Sequence, residues 1–431
     1  MPSVLIVSHC FPPDFSVGAK RALRMALHLG RLGWKVKVLT VRESYYEGLD
    51  RSLDNGSGPY QTIRTHALSL KHRLRRFWRT VPWNGSAPGE PAARAAERRS
   101  GASALLQVVS SAWDVLFSVP DEQGGWLPLA VPSGFLRGGP ADIVLATIPP
   151  RTSAVIATLL APRFNARLVL DYRDPWMPLP GEPQMPRWRQ RLDRALEKFC
   201  LKRASLILST TDGLGRDLTE AGGPRTVVVP NAFDPSLFDG VDASRDPRFT
   251  ITYAGNLSGL RSAVPILEAL RRLRETRRLP PSGLVLRVLG TSGAEVAAAA
   301  ERLGVADLVE VREFLPFREA LSYMKGSDVL LLVVADNHAH LIPAKVFDYL
   351  AARRFILALV PAGSDAGTLI DSVRAGAVVD PRDIDAVADA LERRFSERGA
   401  EMSLSSAAAR YEVDATMREL DRHLRSLLRE P

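Results

Sequence analysis

Two charged residues just beyond an apolar run have the types and spacing of a ligand site. In His340-Leu-Ile-Pro-Ala-Lys-Val-Phe-Asp348, Lys345 and Asp348 stand three positions apart, so on a helix they share one surface. Pro343 suits a first helical turn. Lys345 falls in that same turn, where the helix dipole disfavours a cation. A phosphate bound there offsets the cost. A cation for phosphate and a carboxylate for ribose hydroxyls together suit a nucleoside diphosphate. The plain alternative is a solvated helix carrying an ordinary lysine and aspartate.

A second constellation is Ala254-Gly-Asn-Leu-Ser-Gly-Leu-Arg261. A strand ends, Gly255 lets the backbone approach a ligand, Asn256 follows, and Arg261 stands at the mouth of the next helix. Helix N-termini attract phosphate through free N–H groups, although many such loops are simple turns. The following strand ends similarly, at Gly290. In the N-terminal half, Asp171 and Asp174 lie at a strand end, the position of a ligand cleft in parallel sheets. Asp174 also precedes Pro175, as a turn residue does. His9 follows the first strand, where a loop hydrogen-bonding role competes with a place in the cleft.

Metal chemistry has weak support. Asp383 and Asp385 form an Asp-x-Asp pair at a helix start, where N-capping is the expected role. His338 and His340 lack an evident third ligand. Cys10 and Cys200 make no CxxC pair and are expected to be reduced thiols.

The elements that position these residues alternate. Val4–Val7 is an apolar strand, residues 8–18 a loop rich in Pro and Gly, and 20–32 a helix. Val36, Val38 and Val41 open the next strand. This strand–helix–strand rhythm marks a parallel α/β sheet. It recurs to about residue 230 and restarts at Phe249, with helices expected at about 262–278, 293–303, 316–326, 343–353, 383–396 and 404–428. Two segments interrupt it. Residues 64–81 are basic and amphipathic, with Leu70, Leu74, Phe77, Trp78 and Val81 at helical spacing, which suits an anionic membrane surface or, equally, a helix packed on the first domain with its arginines solvated. Residues 82–101 are rich in Pro, Gly, Ala and Ser and read as a connection.

The 431 residues exceed what one core usually organises, so two domains are expected. With 46% hydrophobic and 24% charged residues, the chain has the composition of a soluble globular protein. No apolar run reaches the roughly 20 residues of a membrane span. No signal peptide is read at the N-terminus, and a cytoplasmic location, with or without membrane association, is expected. The net charge of +9 favours acidic partners, but no nucleic-acid-binding module accompanies it.

Taken in order, Ser8-His-Cys-Phe-Pro-Pro-Asp14, Gly18, Asp142 to Pro150, Asp171-Tyr-Arg-Asp-Pro-Trp176, Val229-Pro-Asn-Ala-Phe-Asp234, Tyr253-Ala-Gly-Asn256 and Pro343 to Leu350 resemble a known family. They are similar to the retaining GT-B glycosyltransferases of the family 4 type, in a polysaccharide- and glycoconjugate-assembly branch. The resemblance implies two Rossmann-like domains with parallel sheets facing a central cleft: an acceptor domain at 1–235, a donor domain at 236–405, and a crossover helix at 406–431 packing back on the first. It implies a nucleotide-sugar donor, a hydroxyl acceptor and neither cofactor nor metal.

By the same resemblance, Gly255, Asn256, Gly290, Pro343 and His340 belong to the donor site. Arg261 and Lys345 meet the diphosphate, and Asp348 binds the ribose. His9, Asp14, Gly18, Arg173 and Asp174 lie on the acceptor side, with Asp174 among the catalytic groups. Three positions depart from the family pattern. His340 replaces an acid that often contacts the donor sugar, Asp348 replaces the usual Glu, and Arg353-Arg354 stand where a Gly commonly follows the Ala pair. The rival readings are a sugar-nucleotide epimerase and a non-catalytic nucleotide-sugar-binding subunit.

Overall fold

The computed structural model describes residues 1–51, 58–68, 119–179, 185–257, 259, 261–280, 283–290, 293–312, 315–399 and 402–430. The first domain runs β1 (Ser3–Val7), α1 (Val17–Arg31), β2 (Lys35–Val41), β3 (Tyr60–Thr65), α2 (Leu127–Arg137), β4 (Ile143–Ile148), α3 (Arg151–Phe164), β5 (Arg167–Tyr172), α4 (Arg187–Leu201), β6 (Leu206–Ser209), α5 (Asp212–Glu220) and β7 (Thr226–Val228). Its seven strands are all parallel, in the order β3-β2-β1-β4-β5-β6-β7. Continuous apolar runs such as Ile143-Val-Leu-Ala-Thr-Ile148 form fully buried strands because helices cover both faces of such a sheet.

The second domain runs β8 (Phe249–Ala254), α6 (Val264–Glu275), β9 (Leu284–Leu289), α7 (Gly293–Arg302), β10 (Val309–Arg312), α8 (Phe317–Gly326), β11 (Val329–Val333), α9 (Lys345–Ala352), β12 (Phe355–Leu359), α10 (Asp365–Ser372), β13 (Gly376–Val379) and α11 (Ile384–Ser396). Six parallel strands lie in the order β10-β9-β8-β11-β12-β13. Strand order reverses between β1 and β4 in one sheet and between β8 and β11 in the other. At such points the loops beyond the strand ends part and leave a crevice.

The last helix, α12 (Val413–Leu427), returns to the first domain. Its Val413, Met417, Leu420, Leu424 and Leu427 share one buried cluster with Ile6 of β1 and Leu29 of α1. Asp421 accepts from the Trp34 indole at 2.6 Å, and Arg425 donates to the Leu32 carbonyl at 2.8 Å. The chain crosses between domains beside the linker. Phe233 exchanges backbone hydrogen bonds with Tyr411 and Val413, both at 2.9 Å.

Several expected boundaries move. Helix α1 starts at Val17, so Gly18 lies inside it and not in the preceding loop. Helix α9 starts at Lys345, and Pro343 precedes it. Residues 406–411 are a 3-10 turn, and α12 is correspondingly shorter than the expected 404–428 helix. Arg64 and Thr65 belong to β3 and residues 66–68 are not helical; the remainder of that expected helix, 69–81, lies outside the described residues. Arg353 ends α9 with φ 51°, the left-handed conformation for which a helix end favours glycine.

Candidate active site

A cleft of about 1010 Å³ lies between the two domains, lined from the crevices of both sheets. Among the described lining residues, Lys20, Arg21, Arg24, Arg151, Arg173, Arg261 and Lys345 outnumber Asp50, Asp174 and Asp348. The cleft is therefore cationic and suited to a polyanion.

Lys345 is its most unusual group. It is the first residue of α9, and its aliphatic stem carries the ammonium back toward the ends of β8 and β9. The ammonium sits 3.8 Å from the centre of the Tyr253 ring. It is buried and has no hydrogen-bond acceptor among the described residues. Burial, reinforced by the nearby Arg261 charge and opposed by Asp348, pushes its pKa down to about 7. Two glycines make the space. A side-chain carbon on Gly255 (φ +121°) would stand 2.8 Å from the Lys345 nitrogen; one on Gly290 (φ +155°) would stand 2.2 Å from the Gly255 carbonyl oxygen. These positions require glycine because the backbone turns into the cleft there and a lysine fills the gap. Arg261 also lines the cleft, whereas Asn256 is exposed and contributes its carbonyl to the Tyr253 hydroxyl at 3.0 Å.

Asp348 stands one turn along α9 and also lines the cleft. Its carboxylate faces the first domain, 3.4 Å from the Lys20 ammonium. Pro343 lines the same wall, but His340 does not. The His340 carbonyl accepts from Thr211 at 2.7 Å, and its ring packs against Gly213, where any side chain would collide with it. The structure thus places His340 at a contact with α5, while His338 lines the cleft.

On the first domain's wall, Arg173 and Asp174 follow β5 directly and line the cleft. Arg173 donates to the carbonyls of Pro149 and Ile148 and lies over Gly18, whose missing side chain admits the guanidinium. Two other residues placed on the acceptor side take structural positions. Asp14 is buried, accepts from the Ser16 hydroxyl at 2.6 Å and does not line the cleft. His9 is buried edge-on to Trp126, with ring centres 5.3 Å apart, and desolvation pushes its pKa down to about 4. Both leave the cleft because apolar neighbours and local turns enclose the loop after β1.

Sequence reading missed three basic residues of α1 that line the cleft, Lys20, Arg21 and Arg24. Arg21 grips the fully buried Asp171 through Nε and Nη2, the shortest contact being 2.6 Å, and donates to the carbonyls of Val229 and Pro230. Asp171 is therefore a strut between α1, β5 and the interdomain linker, and only Asp174 of that pair reaches the cleft. Lys20 projects beside Arg21. The signal for both was the pair Lys20-Arg21 opening an amphipathic helix two residues after Gly18, where an ordinary solvated face is the usual meaning.

Asp383 caps α11, accepting from the Ala386 N–H at 2.9 Å. Among the described residues, no three His, Cys, Asp or Glu side chains converge as a metal site requires. No described helix is long and apolar enough to cross a membrane.

Residues 18–232 match the family described as Glycosyl transferase 4-like domain. No curated protein matches the chain. Among solved structures, sucrose-phosphate synthase from Thermosynechococcus elongatus is similar over 99% of this chain and 99% of its own, at 14% identity and a TM-score of 0.65. HepE from Anabaena, in complex with UDP-glucose, is similar over 98% and 99%, at 15% identity and a TM-score of 0.59. A glycosyltransferase from Rickettsia africae covers 100% and 99%, at 12% identity and a TM-score of 0.60. At these identities the likeness is one of fold. The chain therefore has the two-domain GT-B fold of these structures, and its residues 18–232 match the glycosyl transferase 4-like domain.

Proposed function

We propose that this protein transfers a hexose or related sugar from a nucleoside diphosphate donor to a hydroxyl acceptor, with retention of anomeric configuration and without a metal, in polysaccharide, glycolipid or natural-product assembly. The observation that carries the proposal is the Lys345 ammonium, buried in the interdomain cleft with no acceptor among the described residues. A buried cation without a counter-ion costs stability, and a diphosphate supplies one. The Anabaena structures hold UDP and UDP-glucose, which supports this ligand class.

In this reading Lys345 and Arg261 bind the diphosphate and Asp348 takes the ribose hydroxyls. As the bond from the anomeric carbon to the phosphate oxygen breaks, its electron pair passes to that oxygen. Lys345 stabilises the growing charge in a water-poor setting, where such stabilisation is strongest. The acceptor hydroxyl attacks from the face the leaving group vacates, and its proton passes to the departing phosphate oxygen. Arg173 and Asp174 orient the acceptor from the opposite wall.

The test is turnover with UDP-, GDP-, ADP- and dTDP-sugars and a panel of glycan, lipid-linked and small-molecule hydroxyl acceptors, with product anomers read by NMR. Transfer with retained configuration after EDTA treatment supports the proposal. Isomerised donor without transfer identifies an epimerase, and binding without turnover identifies a non-catalytic subunit. Inverted product or restoration of activity only by magnesium or manganese contradicts the stated mechanism.

A further inference from the structure

Lys20 belongs to α1 of the first domain, yet its ammonium lies between two elements of the second. It is 3.4 Å from an Asp348 carboxylate oxygen on α9 and 3.4 Å from the centre of the Phe317 ring at the start of α8. The side chains of Lys20 and Asp348 keep only 18% and 16% of their exposure. Desolvation pulls the Lys20 pKa below the ordinary lysine value, and Asp348 opposes that pull.

A ligand that spans Lys345 and Asp348 lies along one turn of α9, the turn that Lys20 faces from across the cleft. Lys345 and Asp348 are three residues apart, roughly 4.5 Å along the helix, a span the flexible Lys20 side chain can turn across to meet the phosphates. We infer that Lys20 is a donor-binding residue contributed by the first domain, which grips the diphosphate and holds the two domains together around it. This rests on the donor-site reading above. Asp348 uses one oxygen toward Lys20, and among the described residues its other oxygen has no hydrogen-bond donor, which leaves it for a ribose hydroxyl while Lys20 turns toward the phosphates. A nucleoside without phosphates offers Lys20 no charge to bind. Lys20 therefore discriminates diphosphates from nucleosides.

The experiment is calorimetric titration of the full chain with UDP, GDP and ADP and with uridine, guanosine and adenosine. Lys20→Met is expected to weaken the bound diphosphate by roughly 10- to 100-fold, the scale of losing one hydrogen bond to a charged group. Nucleoside affinity is expected to change by less than about threefold, since on the ligand the lost group meets only the phosphates. Lys20→Arg is expected to restore most of the diphosphate affinity, and Lys20→Gln replaces Lys20→Met if the latter does not fold. Unchanged diphosphate affinity overturns the inference, as does an equal loss for nucleoside and diphosphate, which marks a residue that only orients Asp348. Lys345→Met serves as the second arm. If it loses the diphosphate while Lys20→Met does not, only the role of Lys20 fails. If it binds like wild type, or wild type binds none of the three diphosphates, the donor-site reading fails with it.

Discussion

The Lys345 ammonium faces the Tyr253 ring at 3.8 Å and has no hydrogen-bond acceptor among the described residues. The ring's electron-rich face recovers part of the charge's lost hydration, but not all of it. Lys345→Met keeps the volume and removes the charge. The variant is expected to melt no lower than wild type and higher by roughly a few degrees, as relief of a strained functional site commonly gives. Its kcat is expected to fall roughly 10²–10³-fold, the scale of removing one strong stabilising group. Scanning calorimetry and initial rates check both; an unfolded variant, or one with wild-type turnover, contradicts the assignment.

The same lysine sets a pH dependence. Its folded-state pKa of about 7 lies below the ordinary 10.5. Between those values the unfolded chain holds a proton that the folded chain does not. Stability from this site therefore increases as pH rises from about 7 to about 10.5, and the penalty is fully present below that window. Lys345→Met is expected to flatten this part of the stability–pH curve. Diphosphate binding draws the pKa upward again, so binding at pH 8 takes up a proton. Calorimetry in buffers of different ionisation heat measures the uptake; its absence in wild type, or persistence in Lys345→Met, counts against the site.

The glycines offer a steric test. Gly255→Ala forces a side chain into a φ +121° backbone and to 2.8 Å from the Lys345 nitrogen. The expected result is a loss of roughly 1–3 kcal/mol of stability from backbone strain, together with weakened nucleotide binding. Gly259→Ala is the control: its φ is +61°, but apart from its chain neighbours no atom of the described residues lies within 4 Å of the added carbon. It is expected to cost stability alone. Equal loss of nucleotide affinity in both variants contradicts the role given to Gly255.

Arg21 and Asp171 separate structure from chemistry. Asp171 is fully buried, and Arg21 is its ion partner. Arg21→Met is expected to destabilise the fold by about 3–5 kcal/mol, because it leaves a buried carboxylate uncompensated. Urea denaturation checks this. Asp174→Asn, in the exposed loop that follows β5, is expected to lower transfer and leave stability within about 0.5 kcal/mol. If the two positions exchange these behaviours, the division between strut and acceptor residue is misplaced.

Much of the architecture was legible because buried parallel strands write themselves as apolar runs separated by helical periods. Val4–Val7, Phe249–Tyr253 and Leu284–Leu289 need no tertiary knowledge to be recognised. The placement of Lys345 and Asp348 on the helix after the apolar Val329–Val333 strand was legible for the same reason. Direction was not. His340 and His338 differ by two residues on one short loop, and the contact with Gly213 decides which of them lines the cleft. Asp14 and Asp171 have the residue type of cleft carboxylates, but Ser16 and Arg21 claim them from within the fold. Lys20 carried no motif at all; its meaning depends on Phe317 and Asp348, more than 290 positions away.

The central claim is that the cleft holds a nucleoside diphosphate on Lys345. It is tested most directly by calorimetric titration of wild type and Lys345→Met with UDP, GDP, ADP and dTDP at one salt concentration. At least one of these is expected to bind wild type at one site per chain, with affinity at least roughly 10-fold lower in the variant, as loss of a charge-assisted contact gives, while the variant melts no lower. Binding of none of the four, or equal affinity in the two proteins, contradicts the account.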